Sequence, residues 1–171
     1  MIDSRTPPHD LDAERSLLGA VLLSPECFDE VCRLVREADF YHAGNRAVWI
    51  VCCKMRANGI PIDPVTLARE LSTAGKLESA GGLGGLQELL ASPWNVAHAA
   101  HYAGIVTEQA DRRRLVDALT NAYGAALKDQ TPAGDIVGDL QRATDAIQQR
   151  TAGDSLCSIG DVVNGLLESA T

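Results

Sequence analysis

The stretch PPHDLDAERSLLGAVLL, residues 7–23, decides how this chain must be read. Leu17, Leu18, Val21 and Leu22 recur at helical spacing, so Leu11–Leu23 reads as an amphipathic helix with one apolar face. Ser24-Pro25 ends that helix and starts another, with Ser as the cap and Pro at the first helical position, where its missing N–H costs nothing. The second helix carries Phe28, Val31, Cys32 and Val35. A third spans about Asn45 to Arg56, buries Val48, Trp49, Cys52 and Met55, and stops at Asn58-Gly59, a normal C-terminal signal. Three short amphipathic helices in succession predict a small helical bundle.

Working outward, Ile60-Pro61-Ile62-Asp63-Pro64 is a helix start in which Asp63 caps, Pro64 takes the first position and Ile62 staples against Leu67. That helix continues through Leu71 to Gly75. The glycines from Gly81 to Gly85 form a tight connection into a helix bearing Leu86, Leu89 and Leu90. From about Ala97 to Leu127 there is no Pro, and Tyr102, Ile105, Val106, Leu115, Leu119, Tyr123 and Leu127 keep near-helical spacing, which predicts one long helix. Residues 129–134 read as a turn, after which Asp135 caps a helix with Ile136, Leu140, Ala143 and Ile147. The pair predicts an antiparallel helical hairpin. Thr151 to Cys157 is small and polar, as a linker is, and Ser158-Ile159-Gly160-Asp161 has the form that opens a helix. Val162, Val163, Leu166 and Leu167 then make an apolar stripe on a helix too short to stand alone, which must dock elsewhere. The expected fold is all-α: a globular bundle over residues 1–94, a hairpin over 95–150, and a linker with the start of a docking helix over 151–171.

Composition agrees with this reading. A chain of 171 residues, 46% hydrophobic, can bury a core without metal or disulfides. Aromatic residues are only 4%, and the apolar content is mostly Leu, Val, Ala and Ile, which favours helix-on-helix packing. No stretch reaches the roughly 18 apolar residues of a membrane span, and the polar, Pro-bearing start is not a signal sequence, so a cytoplasmic protein is expected. Five cysteines, Cys27, Cys32, Cys52, Cys53 and Cys157, form no C-x-x-C pair and read as small hydrophobes in a reducing compartment. A net charge of −8 disfavours tight nucleic-acid binding, and the one basic cluster, Arg112 to Arg114, spreads around a helix rather than forming a flat patch.

Searches for chemistry return no catalytic, cofactor or metal residues. A phosphate-binding loop needs G-x-x-x-x-G-K followed by Ser or Thr, whereas Gly75-Lys76 here is followed by Leu77. His98 and His101 stand one helical turn apart, close enough to share a metal, but no further ligand lies nearby in sequence. No serine sits in a nucleophile elbow, and Cys52-Cys53 has no local signature of a catalytic thiol. A hairpin at the end of a bundle has two faces to bury and only one partner helix. It therefore invites a second copy, and Tyr102, Ile105, Leu115, Leu119, Tyr123, Ile136, Leu140 and Ile147 are the candidate self-association residues.

The order of segments also carries a resemblance. Pro7 to Leu23, with Ala13-Glu14 and Ser16-Leu17-Leu18-Gly19 at its centre, is similar to the opening of the N-terminal domain of DnaB-type replicative DNA helicases. Asp39-Phe40-Tyr41, Asn45 to Trp49, Gly59 to Asp63 with Val65-Thr66-Leu67, Gly81-Gly82 and Tyr102-Ala103-Gly104-Ile105-Val106 follow in the family's order, and Ser158 to Leu167 resembles the helix that joins the two helicase domains. Departures are His98, where the family often has Asn, and a Pro93 to Tyr102 spacing longer by about one residue. The resemblance implies hairpins paired into dimers within a hexameric collar that receives primase and a helicase loader. It implies no cofactor in this chain, because ATP, magnesium and movement along single-stranded DNA belong to a following RecA-like domain. Ending at Thr171 within the docking helix favours a portion of a longer chain over a stand-alone regulator of helicase assembly. A metal- or thiol-dependent enzyme is the reading from a different class.

Overall fold

The computed structural model describes residues 6–91, 95–128 and 131–168, the side chains of 151–168 excepted. The described residues form helices joined by turns and short irregular stretches, and no strand. Seven α-helices follow one another: α1 (Leu11–Leu23), α2 (Phe28–Leu34), α3 (Ala43–Ala57), α4 (Pro64–Thr73), α5 (Gly82–Ala91), α6 (Ala99–Ala126) and α7 (Ala133–Glu168). They belong to two compact units, one over Thr6–Ala110 and one containing Asp111 and the chain beyond it.

In the first unit, α1 is the central element and packs on α3 and α5. Leu17, Leu18, Ala20 and Val21 are fully buried, joined by Phe28, Val31, Val48, Cys52, Met55, Leu67 and Leu71 in one core. Trp49 sits between Phe28 and Phe40, with ring centroids at 5.3 and 5.4 Å and tilted planes, a geometry aromatic pairs favour. Asp63 caps α4 as expected: its carboxylate accepts from the N–H groups of Val65 and Thr66 and from the Thr66 hydroxyl. Those bonds hold the Asp63 carboxyl below the usual carboxylate range, the Thr66 hydroxyl contributing most.

One polar group crosses this core. Glu14 is 2% exposed, and its carboxylate accepts from the Tyr41 N–H at 2.6 Å, from Asn45 Nδ2 at 2.9 Å and from the His42 N–H at 3.3 Å. It thereby ties the first turn of α1 to the start of α3. Arg46 closes the same corner by donating to the Phe40 carbonyl at 2.7 Å, and His9 stacks on Tyr41 at 4.4 Å.

Local detail departs from the sequence reading in several places. Ser24 makes no side-chain cap, and Pro25–Cys27 is a 3-10 turn, so α2 begins only at Phe28. Cys32 is exposed rather than apolar-facing. The bundle does not close at residue 94: Ala99, Ala103, Val106 and Ala110 lie on one face of α6 and are buried, because a helix of small side chains approaches closely enough to seal the core. Asn95 caps the approach to α6 by accepting from the Ala97 N–H, and Val96–His98 forms a 3-10 turn, so α6 begins at Ala99. Asp135 lies inside the first turn of α7 rather than capping it, where it still complements the helix dipole.

The expected linker over 151–157 is also helical, since α7 runs unbroken from Ala133 to Glu168. A lone Gly153 weakens a helix by about 1 kcal/mol but does not stop it, and the stretch contains no proline. The side chains of Val162, Val163, Leu166 and Leu167 lie outside the described residues.

Candidate functional site

The second unit is built from the later turns of α6 and from α7. Arg150 lies 3.9 Å from Asp111, both largely shielded from solvent, while the chain reverses between Ala126 and Ala133. The two helices therefore run antiparallel, as expected of a hairpin. Asp111 also accepts from Arg114 one turn along, so a single carboxylate holds two guanidinium groups. Arg114 of the basic cluster is thus engaged by a carboxylate of its own helix.

Half-buried positions on α7 include Ile136, Leu140, Ala143, Thr144 and Ile147, at three-and-four spacing. Those on α6 include Asp111, Arg114, Ala118, Ala122 and Ala125, again one stripe. Half-burial thus falls on alanines of α6 and on branched side chains of α7, one stripe on each helix.

The apolar side chains left outside are a different set. Leu115, Val116, Leu119, Tyr123 and Leu127 are 39%, 45%, 50%, 52% and 70% exposed, and they follow one another at helical spacing along α6. Val137 on α7 is exposed as well. The strip spans a little over three turns, roughly 18 Å at 1.5 Å per residue. It presents a few hundred Å² of contiguous apolar surface, the scale at which an exposed patch marks an interaction site.

The eight candidate self-association residues therefore fall in three places. Leu115, Leu119 and Tyr123 lie on the exposed strip. Ile136, Leu140 and Ile147 are half-buried within the hairpin. Tyr102 and Ile105 are half-buried against the core of the first unit. Val116 and Val137 belong with the exposed set and were not singled out from sequence. Val116 starts its own i, i+3, i+7 series with Leu119 and Tyr123, a signal hidden by the denser Leu115 series beside it.

The alternative chemistries find little support in the geometry. His98 and His101 both lie beside the Tyr102 ring, at 6.5 and 6.4 Å between centroids, and among the described residues no three His, Cys, Asp or Glu side chains converge. Burial pushes the Cys52 thiol up to about 12, with Cys53 adding to it, and pushes that of Cys53 up to about 11, with Cys32 and Glu37 adding to it. That is the reverse of an activated cysteine, whose thiolate must be accessible near neutral pH. No helix of the described residues is long and apolar enough to cross a membrane.

Comparison with known proteins agrees with the segment order. The sequence profile of the DnaB-like helicase N-terminal domain matches residues 6–108. The chain is 39% identical over 137 residues to the replicative DNA helicase DnaB of Leifsonia xyli, and 38% identical over 139 residues to that of Mycobacterium leprae. Each alignment takes in 80% of this chain but only 30% and 23% of the relative, so the chain spans less than a third of the length of these helicases. Among solved structures, the N-terminal domain of DnaB helicase from Mycobacterium tuberculosis superposes with a TM-score of 0.75 at 34% identity, over 82% of this chain and 99% of that one. A DnaB-like replicative helicase, solved with its interactions with primase, shares the fold at a TM-score of 0.61 and 18% identity, over 91% of this chain and 35% of that one. A profile covering more than half of the chain, and a like-sized solved domain matched nearly end to end, show that this chain belongs to the DnaB-like helicase N-terminal domain family.

Proposed function

We propose that this chain is the non-catalytic, self-associating portion of a cytoplasmic replicative helicase. Its hairpins pair between subunits of a hexamer collar, and the collar receives primase and the helicase loader. The observation that carries the reading is the exposed strip from Leu115 to Leu127, which the hairpin's own second helix leaves uncovered. Apolar surface removed from water stabilises by roughly 25 cal/mol per Å², so covering such a strip on two copies favours association by several kcal/mol before entropy is counted. Primase enters because a structural neighbour was solved with its interactions with that protein. Nucleotide hydrolysis and movement on DNA are assigned to the part of the relatives that this chain does not span.

Light scattering on the eluting protein tests the reading. The full chain should run as a dimer or larger. Leu119→Asp should reduce it to a monomer with its helical circular dichroism intact, because residue 119 is half exposed and not part of either core. A chain ending after Ala110 should be a folded monomer, since it retains the α6 residues that close the bundle. A monomeric full chain at high concentration refutes the proposal. Co-purification with the primase C-terminal domain and with the loader tests the partners separately.

A further inference from the structure

A cleft of about 340 Å³ opens in the first unit between the starts of α1 and α3 and the first turns of α5, far in sequence from the hairpin strip. Its size lies at the small end of ligand-sized clefts, which run from about 300 to 1,000 Å³. Leu11 and Leu89 give it apolar ground, Arg15 and His42 stand on one side, and Gly84 and Glu88 belong to the α5 side.

The glycines of this region are not equivalent. Gly81 has φ +86°, a conformation side chains rarely adopt, and a Cβ on Gly85 would lie 2.3 Å from the Ala80 carbonyl oxygen. Both must be glycine for the fold. Gly84 has neither reason: its backbone is ordinary, and a Cβ there meets nothing within 4 Å. It stands in a helix, where glycine is a poorer choice than alanine, and it lines the cleft. What glycine supplies at such a place is room for another backbone to come close.

The polar groups suit a backbone too. Arg15 makes one ion pair, at 3.3 Å, with Asp12, which is 90% exposed, so the guanidinium keeps donors to offer. His42 accepts the Asn45 N–H at Nδ1, which leaves its Nε2–H as a donor. Glu88 is an acceptor, and it forms no ion pair with Arg15. Donors on one side and an acceptor on the other complement the carbonyl and N–H of a peptide group. A phosphate would face Glu88 and a metal cation would face Arg15.

We infer that this cleft binds an extended segment, two or three residues long, of a partner protein's chain. The segment's carbonyls meet Arg15 and His42, an N–H meets Glu88, and its closest approach is over Gly84. The inference is independent of hairpin pairing and stands or falls without it.

The probe is a phage-displayed library of random octapeptides, panned on the full chain, with the enriched sequences synthesised and titrated by fluorescence anisotropy. Gly84→Leu fills the cleft from a position where its Cβ meets nothing, so it should keep or raise the melting temperature while weakening peptide binding at least tenfold. Arg15→Ala and Glu88→Gln, both surface changes, should each weaken it three- to tenfold and guard against any folding defect in the first variant. Inorganic phosphate at 10 mM should not compete. Absence of enriched peptides, peptides that bind Gly84→Leu as well as the parent chain, or displacement by phosphate would each overturn the inference.

Discussion

Replacing Glu14 should show how much one buried carboxylate contributes to this bundle. In the native chain it receives three hydrogen bonds at 2.6, 2.9 and 3.3 Å, and none of the three donors comes from its own helix. Glu14→Ala leaves the Tyr41 and His42 N–H groups and the Asn45 amide without their acceptor. Each unsatisfied buried donor costs about 1–3 kcal/mol, less where water enters the space vacated. The longest of the three bonds is the weakest, so the expected total is about 3–5 kcal/mol, a large share of the 5–15 kcal/mol typical of a domain. Glu14→Gln keeps the volume and one acceptor oxygen, and the Asn45 amide can turn to accept from the new NH₂ group. It forfeits charge assistance and the His42 bond, and should cost about 1–2 kcal/mol. Urea denaturation followed by tryptophan fluorescence reads this unit through Trp49, 1% exposed between two phenylalanine rings, with far-UV circular dichroism in parallel. For a unit of this size about 5 °C of melting temperature accompanies each kcal/mol, so the alanine change should lower it by roughly 15–25 °C. A loss below about 1 kcal/mol for Glu14→Ala, or equal losses for the two changes, would refute the view that these bonds join α1 to α3.

Other expectations follow from the same structure. Asp63 titrates below its unfolded value because the Thr66 hydroxyl and N–H, then the Val65 N–H, bond its ionised form, so its stabilisation is complete above the unfolded carboxylate range near pH 4 and is lost as pH falls through the lower native value. Asp63→Ala should therefore cost about 1 kcal/mol at pH 7, as loss of a helix cap does, and the difference from the parent chain should vanish in acid denaturation curves. Iodoacetamide at pH 8 should modify exposed Cys32 well before buried Cys52 in the native protein; rapid labelling of Cys52, read by peptide mass spectrometry, contradicts the packing of α3. Gly84→Ala should raise stability by about 0.5–1 kcal/mol, because a Cβ there meets nothing and the helix gains by it; a loss of stability would mean that the first turn of α5 is more crowded than described.

Much of the fold is legible in the sequence because the signals are local. Leu17, Leu18, Val21 and Leu22 declare a helix face by spacing alone, and Asp63-Pro64 declares a helix start because a cap and its recipients lie within three residues. Ser24-Pro25 misleads for the same reason: a competent capping residue is present, yet the chain tightens into a 3-10 turn to bring Phe28 onto Trp49. The candidate site is legible only in part. Leu115, Leu119 and Ile147 look alike as apolar positions on helices, and nothing in their spacing says which helix each one faces.

What the sequence determines by itself is the all-helical character, the order of the main helices and the Asp63 cap, together with the segment motifs that place the chain in its family. Those depend on contacts within about four residues, which the covalent chain enforces. What the tertiary structure alone decides is which apolar stripe is spent inside the molecule and which is left outside. Alanines at 118, 122 and 125 are half-buried while Leu115, Leu119 and Tyr123 on the same helix remain exposed, and Tyr102 and Ile105 pack against the bundle core instead. Glu14 belongs to the same class, since its three donors arrive from 27 to 31 residues away. Burial is a property of two surfaces meeting, and a single helix carries only one of them.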